Sequence, residues 1–334
     1  MPLNPPMRLP ARIGKYELRE YLGGGMAHVY RATDTLLGRT VALKILTEAG
    51  NNDRDLRSRF LEEARTASSI NHDNIIKVYD FGEEQGRPFM VMEFLRGESV
   101  RDAIKGGRTG DLQYKLSIAL QIARALDYIH QRKIIHRDIK PENIHIDVTG
   151  RIRLMDFGIA KREGVSLTRA GFTLGTPYYM APEQVLGQPV TSLVDVYAFG
   201  IMMIEVVTGQ KPITGETVER IFRQILHEPL NLDAVRQSGA PKPLVDLIAA
   251  CTAKTPAQRP QSFGIICGEL QRIYEQVSAA GPVGPVRQQR TGGGMFGFLP
   301  PQFRTQTWII AFSAAAVAVL VLILYLIARL AFST

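Results

Sequence analysis

The sequence predicts an α+β chain in two lobes: a small β-rich lobe with one helix, then a larger helical lobe, with one membrane-crossing helix near the C-terminal end. Three observations lead there. Apolar residues alternate through residues 16–93 in short runs broken by glycine, the pattern of antiparallel strands. From residue 99 to 276 the apolar spacing lengthens to three and four, as in helices packed on one face. Residues 308–328, WIIAFSAAAVAVLVLILYLIA, carry no charge.

Composition sets the outer bounds. A chain of 334 residues can hold two cores and an appendage. Its apolar fraction of 45% and charged fraction of 22% are those of a globular protein. The net charge of +8 would suit an anionic partner. There is no zinc spacing, no basic helix face and no interleaving of aromatic and basic residues, so nucleic acid is not an expected partner. The first residues, MPLNPPMRLPAR, contain no apolar run of the secretory kind. Cys251 and Cys267 fall in predicted helices and are expected to be buried thiols in a reducing compartment.

Residues 1–15 are proline-rich and are expected to be a flexible lead-in. YELREYL and AHVYRATD then read as two strands joined by Gly23, Gly24 and Gly25. Glycine there lets the backbone approach a ligand closely. TVALKIL is a third strand and carries Lys44. A buried lysine needs a partner, and the helical stretch DLRSRFLEEARTASSI offers one. Phe60, Ala64 and Ala67 share one face of that helix, and Glu63 lies in the same turn as Phe60; Glu62 competes for the role. IIKVYDFGEE and RPFMVMEF are two further strands, and residues 94–98 form a connector. A long helix over residues 111–130 follows, with Leu112, Leu116, Ala119, Ala123 and Leu126 on its core face.

That helix delivers the chain into HRDIKPENIHID, residues 136–147. Within one loop lie a carboxylate, an ammonium and an amide: Asp138, Lys140 and Asn143. The set suits phosphoryl transfer, in which a protein positions and neutralises but does little covalent chemistry. Asp138 can accept the proton of an attacking hydroxyl, Lys140 can neutralise the transferred phosphate, and Asn143 can offer oxygen to Mg²⁺. Further on, VDVYAFGIMMIEVV is apolar nearly all round, as befits the buried axis of a lobe. The remainder, to about residue 276, reads as three amphipathic helices separated by EPLNLD and KTPAQRP.

YLGGGMAHVY, VALK, RFLEEA, VMEFL, HRDIKPEN, MDFG, GTPYYMAPE, DVYAFG and a late Arg259 occur in the order found in Hanks-type protein kinases. The sequence resembles the bacterial membrane-bound Ser/Thr kinases in particular, over about residues 16–275. The resemblance implies the two-lobe protein kinase fold, with lobes at residues 16–93 and 99–276. It implies ATP as phosphoryl donor and Mg²⁺ as cofactor, with Mn²⁺ as a substitute. Asp138 and Lys140 become the catalytic pair, Lys44 the ligand of the α/β-phosphates with Glu63 behind it, and Asn143 and Asp156 the metal ligands. Leu22, Gly23, Gly24, Gly25, Val29, Ala42, Met92, Glu93, Leu95 and His145 would line the nucleotide. The glycine loop departs from G-x-G-x-x-G-x-V. Either Leu22 stands at the first glycine position and Ala27 at the third, or one residue is deleted and Gly23 is first.

His145 is a second departure, since the family has Leu or Met there as the floor of the adenine pocket. Its ring either packs on adenine, so that protonation near pH 6.5 weakens nucleotide binding, or points aside. The loop between Asp156 and Glu183 should carry the activating phosphosite, Thr168, with Thr173 secondary. Arg137 is the natural guanidinium partner for that phosphate. Thr176 should orient the acceptor hydroxyl. Glu183 and Arg259 are expected to form a structural ion pair, and Asp195 to cap backbone amides of the catalytic loop.

Residues 277–307 are a linker rich in proline and glycine. The 21 residues of 308–328 would span ~30 Å as a helix, the thickness of a bilayer core. A buried core helix is the other reading of that stretch. Arg287, Arg290 and Arg304 precede it and Arg329 follows, which places the catalytic part in the cytoplasm and leaves residues 329–334 as a short external tail. The run SAAA offers small residues for pairing with a second copy. The expected function is therefore phosphorylation of protein Ser and Thr hydroxyls, including the chain's own. The alternative is a pseudokinase scaffold that binds nucleotide without turnover, which the altered glycine loop and His145 would suit.

Overall fold

The computed structural model describes residues 7–156 and 177–279. The N-terminal part is an antiparallel sheet of six strands, in the order β1-β2-β3-β4-β6-β5. Its strands are β1 (Ala11–Ile13), β2 (Tyr16–Gly24), β3 (Ala27–Asp34), β4 (Arg39–Leu46), β5 (Val78–Glu84) and β6 (Arg87–Glu93). β1 lies within the stretch read as flexible and corrects that reading. Its residues pair with Tyr16–Leu18, and Ile13 is buried beside Tyr16, so an apolar anchor outweighs the prolines around it.

The two-residue period of β4 sorts its side chains. Val41, Leu43 and Ile45 enter one buried cluster with Tyr16, Leu18 and Tyr30. Ala42 and Leu46 enter another with Phe60, Ala64, Met90 and Met92. Lys44 therefore shares the second face, the one that α2 (Arg54–Ser68) covers. Asp53 caps α2, accepting from the amides of Asp55 and Leu56. Its buried residues are Phe60, Ala64 and Ala67, those of the expected apolar face. A short helix, α1 (Glu48–Asn52), precedes it and was not anticipated.

The larger lobe begins with β7 (Glu98–Ser99) and α3 (Val100–Lys105). α4 (Leu112–Gln131) follows, capped by Asp111. β8 (Ile144–Ile146) pairs with β7 on one side and with β9 (Ile152–Leu154) on the other. Beyond the short α5 (Pro182–Val185), α6 (Leu193–Thr208) is buried along almost its whole length, from Val194 to Val207, and ends at Gly209 in a left-handed cap with φ +74°. Among the described residues four helices follow rather than three: α7 (Val218–His227), α8 (Asp233–Gln237), α9 (Lys242–Cys251) and α10 (Phe263–Ala279). The extra one, α8, occupies the end of the expected EPLNLD break and seats Val235 in the core. Both cysteines are free; Cys251 is buried as expected, whereas Cys267 is half-buried.

Among the described residues no helix is long and apolar enough to cross a membrane. Residues 308–328, together with Thr168, Thr173 and Thr176, lie outside the described residues.

Candidate active site

Lys44 is the meeting point of three elements. From β4 its Nζ lies 3.0 Å from Glu63 Oε1 on α2 and 2.8 Å from Asp156 Oδ1 after β9. Glu62 is exposed, so Glu63 is the lysine's partner. Burial works against the ammonium, but Asp156 and Glu63 outweigh it and hold Lys44 above the ordinary lysine range. In return, Lys44 holds the Asp156 carboxyl below the usual carboxylate range. Asp156 sits at φ +49°, a left-handed conformation unusual for a residue with a side chain.

The catalytic loop is arranged around Asp138. Lys140 Nζ donates to Asp138 Oδ2 at 2.7 Å. Asn143 Nδ2 donates to the same oxygen at 2.9 Å and to the Asp138 carbonyl at 2.8 Å. With its nitrogen so engaged, Asn143 keeps Oδ1 for a cation. Asp156 likewise has Oδ1 on Lys44 and Oδ2 to offer. Two hard oxygens from one amide and one carboxylate fit Mg²⁺, which takes its remaining ligands from phosphate and water. Among the described residues no group of three His, Cys, Asp or Glu side chains could hold a metal by itself.

Asp195 fixes the loop from below. Fully buried at the start of α6, it accepts from the amides of His136 (Oδ2, 2.8 Å) and Arg137 (Oδ1, 2.8 Å), the capping role expected of it. Arg137 has φ +64°, a strained geometry of the kind that persists only where neighbours over-determine it. His130 on α4 adds a third contact, its Nε2 lying 2.8 Å from Asp195 Oδ2. His130 carries no mark of this role in the sequence, because nothing in a helix signals a contact 65 residues away.

Of the residues expected to line the nucleotide, Val29, Ala42 and Met92 fall on the lysine's face of the sheet. Ala42 pairs with Met92 across β4 and β6, and both are buried with Leu95 and Met155 packed against them. Val29 pairs with Lys44 on one side and with Gly23 on the other. The register skips Leu22, which is bulged out and 46% exposed. Gly24 has φ +131°, and a Cβ there would lie 2.0 Å from the Ala27 carbonyl oxygen. Gly25 follows at the tip, in open space.

Glu93 uses its side chain elsewhere, accepting from the Lys77 amide at 2.9 Å and from Arg153 Nε at 3.1 Å, so its main chain is what remains for a ligand. His145 stands in β8 opposite Arg153, with its Nε2 buried and unbonded. Burial pushes the ring below the usual histidine range, so its protonation belongs below the pH 6.5 first expected.

Glu183 and Arg259 form the anticipated pair, at 2.7 and 2.8 Å in a two-pronged contact. Both are buried.

The protein kinase domain model matches residues 16–269. The chain belongs to the protein kinase domain family. It is similar to serine/threonine-protein kinase PrkC of Bacillus subtilis, 39% identical over 264 residues, 78% of this chain and 41% of that relative. The chain spans about two-fifths of the length of the curated relatives it matches. Among solved structures it is similar to the Mycobacterium tuberculosis PknI kinase domain, with a TM-score of 0.63, 27% identity and coverage of 80% of this chain and 99% of that one. It is also similar to Rad53 in complex with AMP-PNP, with a TM-score of 0.65, 25% identity and coverage of 78% of this chain and 65% of that one.

Proposed function

We propose that this chain transfers the γ-phosphate of ATP to Ser and Thr hydroxyls of proteins and of itself. The observation that carries the reading is the pairing of two clusters: Lys44 bonded to both Glu63 and Asp156, and Asp138 bonded to both Lys140 and Asn143. The first suits the α/β-phosphates, and the second suits an incoming hydroxyl. The name of PrkC and the AMP-PNP bound to Rad53 point the same way.

In this reading the acceptor oxygen forms its bond to the γ-phosphorus while the bond to the ADP oxygen breaks. The acceptor proton passes to the Asp138 carboxylate. Lys140 offsets the charge on the moving phosphoryl group, and Lys44 holds the end that departs. Asn143 Oδ1 and Asp156 Oδ2 would hold Mg²⁺, which when bound neutralises charge on the phosphate oxygens. Thr168 is the proposed activating phosphosite, with Thr173 secondary and Arg137 as the phosphate's partner. Thr176 orients the acceptor. Residues 308–328 anchor the chain in a membrane with the catalytic part in the cytoplasm, and SAAA supports pairing of two copies.

Asp138→Asn tests the chemistry. It should cut phosphate incorporation into the chain and into a generic basic protein by at least about 100-fold, the usual worth of a general base, while nucleotide binding persists. Equal incorporation by both proteins would remove the reading. Thr168→Ala should lower phosphate stoichiometry. Deleting residues 308–328 should release the protein from sedimented membranes.

A further inference from the structure

Arg101 is charged, sits in α3 and is only 8% exposed. Its Nε donates to Glu142 Oε1 at 2.7 Å. One terminal nitrogen donates to Glu205 Oε1, and the other to the Tyr179 hydroxyl and, at 3.3 Å, to Glu205 Oε2. The Tyr179 hydroxyl in turn donates to Glu205 Oε2. Burial, with Glu205 beside it, keeps that phenol well above the ordinary tyrosine range, so it stays a donor.

The four residues come from four places. Glu142 belongs to the 3₁₀ turn Pro141–Asn143, directly before Asn143. Tyr179 ends the 3₁₀ turn Pro177–Tyr179, just beyond Thr176. Glu205 belongs to the buried axis, α6. One guanidinium therefore joins the catalytic loop to the segment that follows the acceptor-orienting threonine. None of its contacts reaches Lys44, Met92 or the glycine-rich hairpin. Next to Tyr179, Tyr178 lies under the Lys211 ammonium, 4.4 Å away, and lines an open groove of about 560 Å³ with Thr214, Glu216 and Arg220.

Charge supplies the second half of the argument. One guanidinium faces two carboxylates. Glu142 Oε2 is buried without a hydrogen-bond partner, although the Glu142 side chain as a whole is 37% exposed. Removing Arg101 would leave two uncompensated carboxylates beside the acceptor loop. A buried carboxylate without a partner recruits whatever cation can reach it.

We propose that Arg101 is a positioning and specificity residue for the protein acceptor. It fixes Tyr179 against the catalytic loop, and by occupying Glu142 and Glu205 it denies those carboxylates to cationic acceptor side chains. The inference rests on the kinase reading above.

The test is steady-state kinetics of the full chain in detergent, with threonine peptides that carry Arg, Ala or Glu near the acceptor. Arg101→Met should raise KM for the Ala peptide roughly 10-fold, the loss of a charge-assisted hydrogen bond, while KM for ATP moves less than about 2-fold. It should also shift preference toward the Arg peptide by roughly 10-fold relative to wild type, and Arg101→Lys should fall between. Tyr179→Phe removes one hydroxyl and keeps the ring, so it decides the positioning claim even if Arg101→Met fails to fold. It should raise acceptor KM by about 3-fold or more with ATP KM unchanged, assayed below the variant's melting temperature. KM for ATP rising in step with acceptor KM, or unchanged acceptor KM and peptide ranking, would overturn the proposal. Wild-type protein that phosphorylates none of the peptides would instead remove the kinase reading itself.

Discussion

Arg259→Met is the substitution whose cost the structure sets most closely. The Arg259 side chain is 0% exposed and that of Glu183 is 6% exposed. Besides its two-pronged contact with Glu183, the guanidinium donates to the carbonyls of Ala253 at 2.8 Å, Leu193 at 2.9 Å and Lys254 at 3.0 Å. Its carbon lies 5.0 Å over the Tyr197 ring. Methionine approximates the volume and removes every donor. A buried ion pair broken on one side costs about 3–5 kcal/mol, chiefly because the remaining charge is stranded.

Domains of this kind are stable by about 5–15 kcal/mol, so a large share of the total would disappear. Urea unfolding of wild type, Arg259→Met, Glu183→Gln and the double variant measures it. The double variant should be less destabilised than the sum of the singles by about 1–3 kcal/mol, since it strands no charge. A cost under about 1 kcal/mol for Arg259→Met, or additivity within about 0.5 kcal/mol, would refute the argument.

Gly24→Ala should raise KM for ATP roughly 10-fold, from 1–3 kcal/mol of backbone strain and a clash with the Ala27 carbonyl, whereas Gly25→Ala, in open space, should change KM little. Lys44→Met should abolish phosphate transfer yet leave the chain folded, as circular dichroism would show, because its two carboxylate partners are part-exposed and can rehydrate. Burial holds His72 and His136 below the usual histidine range, so both are neutral in the fold. The unfolded chain takes up their protons below about pH 6.5. Stability is therefore complete above that pH and falls as pH drops toward the folded values, by up to about 1.4 kcal/mol per unit for His136. Urea midpoints at pH 7.5 and 5.5 check the sign, and a midpoint that rises on acidification would contradict it.

The local grammar of the chain determined a good deal. The strand pattern of TVALKIL placed Lys44 in β4, and the three-and-four spacing of α2 put Phe60, Ala64 and Ala67 on one helix face, because both periods follow from backbone geometry alone. The spacing of Asp138, Lys140 and Asn143 within one loop was equally legible, since a single turn brings them together. What needed the tertiary structure was every choice among near-equivalent candidates and every contact that spans elements. Glu63 rather than Glu62 meets Lys44 because helix rotation against the sheet exposes the other. β1 forms because Ile13 finds Tyr16, a contact no run of prolines announces. His130 on Asp195, Arg153 on Glu93 and Arg101 on Glu205 join residues 60 to 104 positions apart. Their partners are decided by which buried polar groups are left unsatisfied once the helices and strands have packed, a condition that does not exist until the chain has folded.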